Sequence, residues 1–172
     1  FVLYGRRRVG KTELLRYFCA DKPHVFFIAT LSSDRDQLAA FSQEIWRLTH
    51  TETPEGFMFP TWEAAFRALA DLPGRPIVVL DEFTYLISGN KAIPSLLQKT
   101  WDELLRHTQA FLILCGSYVG MMEREILGYQ APLYGRRTGS YLLPALDLPA
   151  AAAFFPTYTP VQQIEAWAVL GG

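Results

Sequence analysis

An α/β fold, with a mainly parallel sheet between two layers of helices, is the architecture that these 172 residues predict. Two observations carry that prediction. Short apolar runs alternate with amphipathic helical stretches along the chain, as strand–helix–strand units require. The residues with reactive side chains follow the apolar runs. A parallel sheet would gather them at the carboxyl ends of its strands, where such sheets bind ligands. Composition agrees, since 50% of the residues are apolar and 14% aromatic. This length and composition suit one domain with a full core.

The elements follow in order. Residues 1–4 read as a short buried strand. A Gly-rich turn leads into a helix over 11–20, with Leu14, Leu15 and Phe18 on one face and Pro23 beyond its end. The run His24 to Thr30 is continuously apolar, like a strand covered on both faces. Ser33 and Asp36 mark a helix start, and Leu38, Phe41, Ile45 and Leu48 recur behind it at helical spacing. Residues 51–60 are rich in Thr, Pro and Gly and read as a loop. Thr61 caps a helix whose inner stripe is Trp62, Ala65, Phe66 and Leu69.

Pro73-Gly74-Arg75-Pro76 breaks that helix. Ile77 to Leu80 is a third strand, ending in Asp81-Glu82. Gly89-Asn90 marks a loop, and Pro94 opens a helix carrying Leu97, Trp101, Leu104 and Leu105. Phe111 to Cys115 is a fourth strand, followed by Gly116-Ser117. A short helix over 118–127 leads to a loop holding Tyr134-Gly135-Arg136-Arg137. Ser140 to Leu143 reads as a fifth strand, with helices near 149–155 and 160–170.

The bulk properties narrow the function. Net charge is −1, which gives no global basic field for nucleic acid and leaves only a local patch open. Cys19 and Cys115 lack metal-ligand spacing and read as buried small hydrophobes. His24, His50 and His107 are dispersed, so no metal site is expected from them, and Met121 and Met122 read as packing. No apolar run approaches the ~20 residues that span a bilayer. No secretory leader is recognisable, so the expected location is cytoplasmic. The start on an apolar strand without Met, and the end at Gly171-Gly172, read as a piece of a longer chain.

The strongest signal is Gly5-Arg6-Arg7-Arg8-Val9-Gly10-Lys11-Thr12, a full match to G-x-x-x-x-G-K-[ST] between an apolar strand and an amphipathic helix. Glycines let the backbone wrap closely around phosphate oxygens, and successive N–H groups form an anion nest at a helix start. Lys11 is placed to reach the β- and γ-phosphates, and Thr12 to offer a hydroxyl to Mg²⁺. The expected nucleotide-binding set is Gly5, Arg6, Arg7, Arg8, Val9, Gly10, Lys11, Thr12 and Glu13. The three arginines have two readings: solvated charge on the loop's outer side, or contacts to phosphate or to a neighbouring protomer.

Asp81, at a strand tip, suits Mg²⁺ binding through water, and Glu82 suits polarisation of an attacking water. The pair separates branches of the class. Metabolite kinases must exclude water and rarely place such a Glu beside the Mg²⁺-binding Asp. GTPases carry N-K-x-D, whereas Asn90-Lys91-Ala92-Ile93 lacks the Asp. Ser117 is expected to sense the γ-phosphate or the lytic water, the alternative being a cap for the helix over 118–127. Arg136 is expected to stabilise transition-state charge near the γ-phosphate, in its own protomer or a neighbour's. The alternative is a surface basic pair with Arg137.

The segments YGRRRVGKTELL, FFIATLSS, VVLDEF, LCGS and PLYGRRTGSYLL occur in that order. Together they resemble the archaeal-type AAA+/STAND group of prokaryotic P-loop ATPases, over nearly the whole chain. The resemblance implies a P-loop NTPase three-layer sandwich with a mainly parallel five-stranded sheet in the order 5-1-4-3-2. The ATPase core would cover 1–147. Residues 148–172 would begin a helical lid or winged-helix region, with Gly171-Gly172 opening the family's Gly-Gly-x-Pro turn. Some members carry a restriction-endonuclease-like C-terminal domain, and members usually have an F-x-G-R-[ED] segment upstream. The implied function is Mg²⁺-dependent ATP binding and hydrolysis driving a conformational switch. The alternative is a nucleic-acid-associated ATPase serving a C-terminal nuclease-like domain. Expected partners are ATP and a second copy or another protein. Nucleic acid would bind only through a further domain, and no membrane is expected.

Overall fold

Alternating side chains of five strands are sorted onto two faces of one sheet. In the computed structural model, which describes residues 1–50, 52 and 54–170, the strands are β1 (Val2–Tyr4), β2 (His24–Ile28), β3 (Ile77–Asp81), β4 (Phe111–Gly116) and β5 (Ser140–Leu142). All four pairings are parallel and the spatial order is β2-β3-β4-β1-β5, the order expected from the sequence. Val2, Val25, Phe27, Val78, Leu80 and Leu114 enter the larger core, and Leu3, Ile77, Val79, Ile113 and Cys115 the smaller one. β3 is buried along its whole length, as a central strand covered on both faces must be.

The helices are α1 (Lys11–Cys19), α2 (Asp34–Thr49), α3 (Trp62–Ala68), α4 (Phe83–Gly89), α5 (Ile93–Glu103), α6 (Val119–Met122), α7 (Leu148–Ala152) and α8 (Pro160–Leu170). A π-type turn, Glu123–Leu127, extends α6. The Ser33 hydroxyl accepts from Asp36 N at 3.1 Å and the Thr61 hydroxyl from Ala64 N at 3.1 Å, so both expected caps form. Phe41, Trp62 and Phe66 pack together with Phe27 behind them. Each such fully buried ring contributes about 1.5–3 kcal/mol.

Two expectations need correction. No helix is expected between Glu82 and the Gly89-Asn90 loop, yet α4 follows β3 directly and buries Phe83, Thr84, Leu86 and Ile87. On α1 the buried stripe is Lys11, Leu15 and Cys19, whereas Leu14 and Phe18 are exposed. Residues spaced by four align along the helix and set the contact line on the sheet, leaving Leu14 and Phe18 beside it. Both cysteines and both methionines at 121–122 are buried. Among the described residues, no helix is long and apolar enough to cross a membrane. Gly171 and Gly172, and within the expected loop Thr51 and Thr53, lie outside the described residues.

Candidate active site

Every strand with a candidate residue after it delivers that residue to the same edge of the sheet. β1 leads into the loop 5–10 and then α1, β3 into Asp81-Glu82 and α4, and β4 into Ser117 and α6. The sheet order puts β4 between β3 and β1, so the three ends lie side by side.

The loop closes tightly on itself. Gly5 has φ 155°, and a Cβ there would collide with the Leu143 carbonyl beyond β5, so a larger residue would push the loop off the sheet. Gly10 caps α1 in the left-handed region at φ 91°, and Arg8 adopts φ 67° without being glycine. Lys11 is 5% exposed, and its ammonium donates to the carbonyls of Gly5 at 2.8 Å and Arg6 at 2.7 Å. A buried cation held only by backbone carbonyls inside the loop is suited to exchange them for anionic oxygens.

Asp81, 1% exposed, is held through both oxygens. Its Oδ2 accepts from the Thr12 hydroxyl at 2.6 Å and its Oδ1 from Glu82 N at 2.8 Å. The buried Cys115 thiol beneath is pushed well above the ordinary thiol range, first by burial and then by the Asp81 carboxylate. Glu82 turns the corner from β3 into α4 in the left-handed region, at φ 50° and ψ 40°. Strained backbone of this kind persists where the surroundings over-determine it. The Ser117 hydroxyl donates to Glu82 Oε2 at 2.8 Å and its N–H lies 3.4 Å from the same oxygen. Ser117 therefore does not cap the following helix. Tyr118 takes that cap position and makes no side-chain cap bond.

The other expected residues fall as follows. Arg6, Arg7 and Arg8 are exposed, and Arg7 donates to the Tyr85 hydroxyl on α4 at 2.5 Å. Val9 is half-buried. Glu13 faces solvent and pairs with Arg16 along α1 at 3.9 Å. Arg136 is not brought to this edge. Its Nε donates to Asp102 at 2.9 and 3.0 Å and its Nη2 at 2.7 Å, while Nη1 reaches the carbonyls of Pro132 and Tyr134. With Arg137, Phe1 and Leu112 it lines a small cavity of about 50 Å³ at the amino ends of β1 and β4. The reason is topological. Arg136 precedes β5, and in a parallel sheet residues before a strand lie at the edge opposite those after one.

The whole chain, residues 1–172, matches the model of the ATPase domain family predominantly from Archaea. It belongs to that family. This archaeal-type P-loop ATPase domain is 31% identical over 171 residues to an uncharacterized protein of Methanocaldococcus jannaschii, covering 99% of this chain and 37% of that protein. Among solved structures it is similar to the Walker-type ATPase PABY2304 of Pyrococcus abyssi, at 25% identity and TM-score 0.62, covering 97% of this chain and 57% of that one. The ORC1 protein of Aeropyrum pernix, solved in complex with DNA, shares the fold at 16% identity and TM-score 0.57, over 96% of this chain and 43% of that one. The domain thus spans well under two thirds of the relatives it matches.

Proposed function

We propose that this domain binds ATP with Mg²⁺, hydrolyses the β–γ phosphoanhydride bond, and uses the change at the phosphate site to drive a conformational switch. The observation that supports this most is the double pairing at one sheet edge. Thr12 meets Asp81 at 2.6 Å and Ser117 meets Glu82 at 2.8 Å, beside a loop that already holds a buried lysine.

In this reading the backbone from Gly5 to Gly10 surrounds the phosphates, and Lys11 trades its two carbonyls for β- and γ-phosphate oxygens. The Thr12 hydroxyl and the Asp81 carboxylate fit Mg²⁺. Both are hard oxygen donors, and this ion is usually held by one or two side chains plus substrate phosphates rather than by an all-protein cage. When bound, the ion neutralises charge on the phosphate oxygens. Glu82 accepts a proton from water as the water oxygen bonds to the γ-phosphorus. The bond to the bridging oxygen breaks, and ADP departs with its electron pair. Ser117 holds the Glu82 carboxylate in place for that transfer. Residues 148–170, with α7 packed on α8 and Trp167 Nε1 donating to Leu146 O at 2.9 Å, would begin a lid or winged-helix region. A second copy or another protein would read the switch.

The test is Glu82→Gln. The amide keeps the shape but is a poor proton acceptor, so ATP affinity should hold while turnover falls by about 10²–10⁴-fold. Turnover at the parental rate would remove Glu82 from the mechanism. A nucleic-acid-associated role is the alternative. The A. pernix ORC1 structure contains DNA, but its likeness to this chain is one of fold, and the net charge of −1 lends no support.

A further inference from the structure

A second cavity opens beside Ser117 that the chemistry above does not use. It measures about 240 Å³ and lies between the phosphate loop, α4 and the turn after β4. Five hydroxyls line it, from Thr84, Tyr85, Ser88, Ser117 and Tyr118, together with the guanidinium of Arg7. None of its described lining residues is acidic. Lys11, Thr12 and Asp81 are not part of its wall, so it neighbours the expected phosphate site without being that site.

Thr84 is the telling residue. It is only 3% exposed and lines this cavity, which is the side from which a guest can reach its hydroxyl. A hydroxyl in such a wall can donate to or accept from a guest in the cavity. The neighbouring groups are already tied. Ser88 donates to the Thr84 carbonyl at 2.9 Å, Arg7 to Tyr85, and Ser117 to Glu82. Arg7 spends only one of its five donors on Tyr85, leaving a free fork at the cavity mouth. A planar guanidinium with several hydroxyls suits a tetrahedral oxyanion. The volume exceeds what one or two waters need, at about 30 Å³ each.

We propose that this cavity is a site for orthophosphate, the product of the hydrolysis, occupied while ADP is still in the phosphate loop. It takes the oxyanion across Ser117, away from the magnesium-binding side, with Arg7 and the Thr84 hydroxyl as principal contacts. Phosphate release would then be a separate step from ADP release, leaving through the Arg7–Tyr85 contact. The proposal rests on the hydrolysis reading for the origin of the phosphate, but the binding site can be tested without turnover.

The experiment titrates inorganic phosphate into the ADP-saturated chain, followed by phosphorus NMR, with ADP affinity measured in parallel. Phosphate should bind in the millimolar range. Thr84→Val, which keeps the shape and removes the hydroxyl, should weaken it about ten-fold. Ser88→Leu, which fills the cavity, should abolish it. Neither should move ADP affinity by more than about two-fold, because neither residue belongs to the phosphate loop. Repeating the titration on nucleotide-free Lys11→Ala separates this site from phosphate in the loop itself, since only the loop site should be lost. Phosphate binding unchanged by both cavity variants, or no binding beside ADP, overturns the proposal and leaves a water-filled pocket. Failure of ADP to bind would sink the nucleotide reading instead, and the nucleotide-free titration would still read the cavity.

Discussion

The tetrapeptide Tyr-Gly-Arg-Arg occurs twice in this chain, at residues 4–7 and 134–137, and the two copies end at opposite edges of one sheet. The first follows β1 and becomes the phosphate loop. Its arginines stay exposed, and its lysine neighbour is buried on backbone carbonyls. The second precedes β5. Its Arg136 is committed to Asp102 and two carbonyls beside an apolar cavity. Local composition is the same, so the difference lies in chain direction. In a parallel sheet, residues after a strand face the ligand edge and residues before one face the structural edge. The first edge keeps strained backbone and exchangeable bonds, and the second keeps satisfied ones.

The comparison breaks most visibly at Lys11. If the carboxyl edge is the ligand edge, Lys11→Ala should lower ATP affinity about 100-fold or more, because a charge-assisted contact to phosphate is lost. The loop should remain folded, since truncation to Ala opens the space the side chain filled and lets water take over the Gly5 and Arg6 carbonyls. Calorimetric titration with unchanged affinity would void the assignment. Ser117→Ala comes next. It removes one hydrogen bond to Glu82 and should slow turnover about ten-fold with ATP affinity nearly unchanged. A matching fall in affinity would mean that Ser117 serves binding rather than placement of the carboxylate.

Much of this was legible in the sequence, for physical reasons that differ by element. The buried strands read clearly because a parallel sheet demands continuous apolar runs, as in Ile77-Val78-Val79-Leu80. The phosphate loop read clearly because only glycine tolerates the Leu143 carbonyl at position 5. α4 did not, since its seven residues are too few for helical periodicity to emerge. The sharp turn between them is made by Glu82 in the left-handed region, where no glycine advertises it. The cavity beside Ser117 was also hidden, because Arg7, Thr84 and Ser117 meet there from separate segments. Arg136 was misplaced by weighing residue type above its position before a strand. The position alone was enough to send it to the other edge.

At the structural edge the effects should be on stability and not on chemistry. Arg136→Ala removes a bidentate pair and two carbonyl contacts, but the pair is partly exposed, so solvent screens it. A loss of about 1 kcal/mol is expected, lowering Tm by about 2–4 °C, with turnover per folded molecule unchanged. A turnover defect that grows with protein concentration would instead show Arg136 acting across a subunit boundary.

The smallest expected effect is also the one whose sign is most constrained. The Arg136 guanidinium, bonded to Asp102, holds that carboxyl below its ordinary value of 3.8. A carboxylate lowered in the folded state stabilises the fold fully above its unfolded pKa. That contribution is lost as pH falls through the lowered folded value. Asp102→Asn removes it at every pH. The stability difference between parent and variant should therefore be constant from neutral pH down to about 5, then shrink below about 4. Other paired acids such as Glu63, held down by Lys99, titrate in both proteins and cancel in the difference. Denaturant melts at a series of pH values would measure it. A difference that stays constant through the acid range would mean that the Arg136–Asp102 contact is held by shape and hydrogen bonding rather than by charge. The structural edge would then owe its order to packing alone.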